Sequence, residues 1–421
     1  MARILIQTLV FTVVFSRHIV AEEHNLTIAE VEKIASERSL VMKAQRVDVQ
    51  IARADVRTSA LWDNPELSAQ YDYHQVSSGI ANNPATFDVR LSQPLQLFGL
   101  RGARVDQANA GVLQAGFLTA DFERNFILQM RLTSYKALVL SNALNFQKAF
   151  YENYQKLLQA NAFRYKKGDI SEYELKKLEV EGTRYENSIA NVEIELRRRL
   201  SELKKGLSIA ESDVLRIQDD LKQPVAEEVL AIIERKVEPE LRPDLLAAQN
   251  EITLAERGLA VAEKETLPDF SLATQYHYEP QSSLFAQNHY LGLGLTVPLK
   301  VFNRNQGKKD AYVQLIEKKK IAYQQQLISA RTELDVQRNA IKQYLGVLEN
   351  GKNRLVLSKE IYEKGRLLYT KKAANLIQLL ESERSYFEMQ RDFFEILYNF
   401  QESLEIYLAL TKTMQVEKKA S

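Results

Sequence analysis

Leu67-Ser-Ala-Gln-Tyr-Asp-Tyr-His74 places Leu67, Ala69, Tyr71 and Tyr73 on one parity and Ser68, Gln70, Asp72 and His74 on the other. Successive strand residues leave opposite faces of a sheet, so the stretch reads as a strand with one apolar and one polar side. Phe87, Val89 and Leu91 against Asp88, Arg90 and Ser92 repeat the pattern. It returns in the second half of the chain. There Phe270, Leu272, Tyr276 and Tyr278 alternate with Asp269, Ser271, Gln275 and His277, and Leu291, Leu293, Leu295 and Val297 with Gly292, Gly294 and Thr296. Strands are expected at 66–74, 87–97, 269–279 and 290–299, each about ten residues, the length that crosses a bilayer when tilted. Apolar outward and polar inward is the pattern of a membrane β-barrel. A half-buried antiparallel sheet under a soluble helical layer alternates in the same way, so alternation alone leaves both open.

Outward from the strands, proline maps the rest. The nine prolines are Pro65, Pro84, Pro94, Pro224, Pro239, Pro243, Pro268, Pro280 and Pro298, leaving 129 residues free of them after Pro94 and 123 after Pro298. An interior proline costs a helix about 3 kcal/mol, so both stretches can hold very long helices. Each is rich in Leu, Ala, Glu, Lys, Gln and Arg and carries an apolar stripe. The first runs through Phe117, Ala120, Ile127, Met130, Leu138, Leu144 and Phe150, the second through Val313, Ile316, Ile321, Leu327, Leu334, Ile341, Leu345 and Leu348. Such stripes belong to bundled or coiled helices. Arg101–Phe163 and Asn305–Leu368 would each run roughly 95 Å at 1.5 Å per residue.

The two halves are copies of one unit. Ser92-Gln-Pro-Leu-Gln-Leu-Phe98 recurs as Thr296-Val-Pro-Leu-Lys-Val-Phe302, and Tyr165, Leu175 and Glu179 recur as Tyr369, Leu379 and Glu383, an offset of 204. Pro65-Glu-Leu-Ser68 recurs as Pro268-Asp-Phe-Ser271 at 203. Each unit reads helix, strand, strand, long helix, tight turn, helix. The expected division is a signal peptide at 1–21, a first repeat at 22–206, a linker at 207–241, a second repeat at 242–412 and a tail at 413–421. The signal reading rests on Arg3, the apolar run Ile4–Phe15 and Ala21 ahead of Glu22-Glu23.

Composition removes other functions. Lys plus Arg is 56 against 55 Asp plus Glu, so there is no cationic surplus to displace counterions from nucleic-acid phosphates. The absence of cysteine removes disulfides, thiolate chemistry and a lipidated N-terminal cysteine. No phosphate loop, Gly-x-Ser-x-Gly or His-Glu-x-x-His motif is present, so no enzymatic activity, cofactor or metal site is expected. No stretch after the leader reaches the 18 apolar residues of a spanning helix, and an exported chain of this kind is either soluble or inserted as a barrel.

Four strands cannot close a barrel, since the smallest membrane barrels need about eight, and an open edge in lipid leaves backbone groups unsatisfied. In a membrane several chains must therefore pool their strands, and three would supply 12. The helices would then lie outside the bilayer.

These residues resemble the TolC family of outer-membrane efflux ducts over about 25–412. Arg242-Pro-Asp-Leu245, Leu267-Pro-Asp-Phe-Ser271, Leu293-Gly-Leu-Thr-Val-Pro-Leu299 and Phe302-Asn-Arg-Asn-Gln-Gly307 are similar to that family's second-half signatures, with wording most like the heavy-metal branch of CzcC and CusC type. The resemblance implies a mainly α fold with β: duplicated long helical hairpins, and four transmembrane strands per chain that complete a 12-stranded barrel and an α-barrel tunnel as a homotrimer. It further implies an outer-membrane location with a periplasmic extension, a periplasmic adaptor, an inner-membrane pump of the resistance-nodulation-division (RND) type, and passive conduction. A type I secretion duct or a multidrug duct would share the fold. A periplasmic coiled-coil protein without a pore is the competing class.

Site residues follow from the same resemblance. The tip Tyr165-Lys-Lys-Gly-Asp-Ile-Ser171 has Gly168 for a left-handed turn and Asp169 or Ser171 as cap. In relatives this tip meets the adaptor, which assigns contact to Gly168, Asp169, Ile170 and Ser171. Its repeat mate Thr370-Lys-Lys-Ala-Ala-Asn375 has no glycine and is expected to turn differently, with Lys372 and Asn375 in the same role. Glu360 and Glu363 are candidates for a periplasmic gate that binds cations. His74 and His277 would face the barrel lumen, and Tyr71, Tyr73, Tyr276, Tyr278 and Tyr290 the lipid. The region from Leu207 to Pro243 would form a mixed belt around the helical tunnel.

Overall fold

The computed structural model describes residues 22–73, 85–221, 224–279 and 288–413. Within them two compact units form. The first gathers the described parts of 1–39, 130–223 and 351–398, the second those of 40–129, 224–350 and 399–421.

Chain order follows the duplication. After β1 (Glu23–Leu26), α1 (Ile28–Glu37) and α2 (Leu40–Ser59) come β2 (Glu66–Tyr73), β3 (Ala85–Leu95), α3 (Leu100–Lys166) and α4 (Glu172–Leu207). Then β4 (Val214–Ile217), α5 (Ala226–Ile233) and α6 (Pro243–Lys264) lead into β5 (Phe270–Glu279), β6 (Asn288–Thr296), α7 (Gln306–Thr370) and α8 (Leu376–Thr411). The long helices have 67 and 65 residues and their partners 36 each, so the two proline-free stretches become two matched hairpins. Among the described residues no helix is long and apolar enough to cross a membrane.

In the second unit β2, β3, β5 and β6 make one antiparallel sheet in that order. The register puts Leu67 opposite Leu91, Leu91 opposite Thr274 and Thr274 opposite Leu293. Because side chains alternate, this row and its even-numbered steps share one face, which is apolar except at Gln93, Thr274 and His289. The other face carries Ser68, Gln70, Asp88, Arg90, Gln275 and His277. β6 stops at Thr296, two residues short of Pro298 and three short of the expected end, so Val297 is outside the sheet. Pro94 is tolerated in β3 because it lies beyond the last β2 pair, Glu66 with Ser92, and has only β5 beside it.

Helix α6 is fastened to α3 by polar contacts. Asn250 Nδ2 donates to Ala110 O at 2.9 Å and to Gln114 Oε1 at 3.0 Å. At the start of α6, Arg242 Nη2 meets Asp244 Oδ2 at 2.7 Å, and buried Arg124 of α3 lies 2.7 Å from Asp121 and 3.8 Å from Asp244. Burying charge is tolerable only when it is paired: Asp244 of the Arg242-Pro-Asp-Leu245 motif pairs Arg242, and Asp121 with the more distant Asp244 pairs Arg124, whose Nε and Nη1 have no hydrogen-bond partner. Gly258 passes close under the Tyr312 ring, leaving no room for a Cβ.

The first unit holds a two-stranded parallel sheet of β1 and β4, Glu23 opposite Val214 through Leu26 opposite Ile217. Thr27 caps α1 through a reciprocal pair with Glu30. Its main core is aromatic and aliphatic, with Phe150, Tyr154, Leu178, Tyr185, Leu379 and Phe387 all buried. These residues come from α3, α4 and α8, so the core binds the ends of both hairpins.

Candidate functional site

The two hairpin tips are built by the same turn. Helix α3 ends at Lys166, and Gly168 takes φ +80°. Gly168 N donates to Tyr165 O at 2.9 Å and Asp169 N to Arg164 O at 2.9 Å, the two bonds of a Schellman ending. At the second tip Lys372 stands where glycine is missing and still adopts φ +60°, with Lys372 N on Tyr369 O at 3.0 Å and Ala373 N on Leu368 O at 2.8 Å. The expectation of a different turn is corrected: hydrogen-bond closure of the helix end outweighs the roughly 1 kcal/mol that a left-handed non-glycine residue costs.

Caps complete each tip. Ser171 Oγ accepts from Glu174 N at 3.2 Å while Glu174 Oε2 accepts from Ser171 N at 2.9 Å. Asn375 and Gln378 make the same reciprocal pair at 2.9 and 3.1 Å. Of the two cap candidates at the first tip it is Ser171, not Asp169, that caps. Gly168, Asp169, Ser171, Lys372 and Asn375 are exposed and Ile170 is half-buried.

Behind the tips the hairpins are tied together. Tyr369 OH donates to Asn161 Oδ1 at 2.6 Å, and Arg164 Nη1 donates to the same hydroxyl at 3.0 Å. Burial raises the Tyr369 phenol above its ordinary value. Its repeat mate Tyr165 is exposed, so the duplication is not symmetric here.

Glu360 and Glu363 lie on the exposed surface of α7, in i,i+4 pairs with Lys364 at 3.8 Å and Lys359 at 4.0 Å. Exposed pairs of this kind contribute little. A deeper acidic group escaped the sequence reading. Glu383 of α8 is 1% exposed, its Oε1 is 3.9 Å from Arg366 Nε, and its Oε2 has no hydrogen-bond partner. Burial pushes its carboxyl up to about 7, with Arg366 pulling the other way and Glu181 adding to the rise. Glu181 of α4 is also buried but satisfied, held by Arg384 Nη2 at 2.8 Å. Glu383 was visible only as the repeat mate of Glu179, because one acid among many on an amphipathic helix does not announce its burial.

On the sheet, His277 Nδ1 is 2.8 Å from Asp88 Oδ1, which also accepts from Gln275 Nε2 at 3.1 Å. His277 therefore sits on the polar face beside Tyr290, the two rings tilted by 40° with centroids 5.7 Å apart. Since Tyr290 pairs with His277 in the register, it too belongs to the polar face, which corrects its assignment to the apolar one. His74 lies outside the described residues. On the apolar face Leu67, Leu291 and Leu293 are 71%, 84% and 82% exposed, and the edge strands β2 and β6 are each paired on one side only among the described residues.

The family described as outer membrane efflux protein matches residues 33–207. No curated protein sequence matches. Solved structures match over nearly the whole chain. One is CusC, whose structures concern folding and transmembrane channel formation, with TM-score 0.73, 16% identity, and 92% of each chain covered. The Campylobacter jejuni CmeC outer membrane channel aligns with TM-score 0.75 and 16% identity over 91% of this chain and 85% of its own. The open state of the Neisseria gonorrhoeae MtrE outer membrane channel gives 0.70 and 17% over 91% and 88%. The chain thus has the fold of these outer membrane channels.

Proposed function

We propose that the chain is the exit duct of a tripartite efflux system, a homotrimer in the outer membrane that passively conducts substrate from a periplasmic adaptor and an RND-type inner-membrane pump to the exterior. One observation carries this reading: an antiparallel sheet of four strands exposes an apolar face and, among the described residues, leaves both edges open. Exposed apolar surface of that kind and open edges favour association or burial in lipid over exposure to water. Three copies joined edge to edge give 12 strands, remove every edge, turn the apolar face to lipid and enclose Asp88, Arg90 and His277. Exposed Val313, Ile321, Ile328 and Val336 along α7 provide a helical seam for the neighbouring copies.

In this reading the tips, with Gly168 to Ser171, Lys372 and Asn375, face the adaptor, Glu360 and Glu363 stand near the periplasmic mouth, and the protein performs no chemistry. Residues 1–21 are the leader, 22–206 and 242–412 the two repeats, and 207–241 the link. Heavy-metal cations are the proposed cargo on the strength of the second-half motifs alone, because the fold likeness is spread evenly over channels of several systems. Outer-membrane fractionation with heat-modifiable trimers in detergent tests the duct. Recovery as a soluble monomer would refute it. Gene deletion scored against Co, Zn, Cd, Ni, Cu, Ag and common drugs decides the cargo.

A further inference from the structure

Among the described residues, the Glu383 carboxyl is a deeply buried acid with one oxygen left without a hydrogen-bond partner. It lies where α8 packs tightly on α7: a Cβ on Gly365 would come within 2.6 Å of Ser382 Oγ, one residue before Glu383 and one before Arg366. A carboxylate here has a single cation at 3.9 Å and one oxygen with no donor. Burying a charge with so little compensation is costly, and the group holds a proton instead. Each packed element presents something to it: Arg366 and Tyr362 from α7, Glu181 and Tyr185 from α4, Tyr154 from α3, and Arg384 on its own helix. Arg366 is already engaged, donating to Tyr362 OH at 2.8 Å. Arg384 is engaged by Glu181.

We propose that Glu383 is a proton-operated latch on the packing of the α7–α8 hairpin against α3–α4, closed when the carboxyl is neutral and released when it ionises. Ionisation sets Glu383 of α8 against Glu181 of α4 and draws Arg366 away from Tyr362. Both effects load the contact between the hairpins. The sign follows from the direction of the shift. The packed state binds the proton more tightly than the loosened state, so packing is most favoured at low pH and loses ground as pH rises from 4.5 to about 7. The latch deepens the duct reading by giving its tip-bearing end a trigger. Its test needs no transport, so it can fail while the duct stands, and the reverse.

The experiment is hydrogen exchange on the full-length protein in detergent over a pH series from 5 to 9, corrected for chemical exchange, in peptides covering residues 355–370 and 376–390. A carboxyl moving from 4.5 to about 7 on packing predicts opening about tenfold more frequent at pH 8 than at pH 6. Glu383→Gln should level the two, while Glu360→Gln, on the exposed face, should keep the tenfold difference. Arg366→Gln leaves the carboxyl in place and removes its one nearby cation, so the midpoint should move upward. The proposal is overturned by a wild type indifferent to pH, by a tenfold change that persists in Glu383→Gln, by its loss in Glu181→Gln alone, or by an unmoved midpoint in Arg366→Gln.

Discussion

Arg184 and Glu388 occupy equivalent positions in the two repeats, 204 residues apart, and Arg184 Nη2 lies 3.0 Å from Glu388 Oε1. A residue can pair with its own repeat mate only where the two copies face each other across a local pseudo-dyad. Glu181 pairs with Arg384, the residue next to its own repeat mate Ser385, and so lies beside the same axis. The duplication therefore built its own interface, and the ionic contacts between α4 and α8 lie beside that axis.

The two pairs should differ in energy. Arg184 is half exposed and Glu388 more than a third exposed, so Arg184→Ala should cost about 0–1 kcal/mol. Glu181 is 7% exposed in its side chain, and Arg384→Ala leaves it buried with little beyond Arg184 at 3.4 Å, which should cost about 2–3 kcal/mol. Denaturant unfolding of the two variants checks the order. Equal losses would mean that Glu181 reaches water.

The tips offer a cleaner pair. Lys372→Gly should stabilise by up to about 1 kcal/mol, since glycine takes the left-handed turn without the Cβ penalty. Gly168→Pro should do the opposite: it removes the N–H that closes the turn onto Tyr165 O and cannot adopt φ +80°. Export should be abolished with trimers still in the membrane. Loss of insertion would show that the first tip is needed for assembly rather than for a partner.

Leu293→Arg puts a charge on the exposed apolar face. In lipid near the midplane this costs roughly 2–4 kcal/mol, whereas in water a residue 82% exposed would accept the change at almost no cost. Outer-membrane abundance of the variant is the measurement, and an unchanged level would place that face in solvent.

Much of this architecture is legible from period alone. Alternation located β2, β3, β5 and β6, and the absence of proline located α3 and α7, because each signal is repeated over ten or more residues. Strands β1 and β4 were invisible: four residues each, they pair across 191 positions, which no local pattern encodes. Tyr290 was misassigned because its aromatic character suggested lipid, while its parity, fixed by Leu291, says otherwise. Lys372 looked unfit for a left-handed turn, yet the turn is imposed by closing the helix end. Glu383 stayed hidden because its burial is decided by α7, not by its own helix.

The account depends on chains meeting edge to edge around a pore. Native mass spectrometry of the detergent-extracted outer-membrane protein, followed by planar-bilayer recording of the same sample, tests this most directly. Three copies per particle with stepwise conductance are predicted. A single copy per particle that gives no conductance would contradict it.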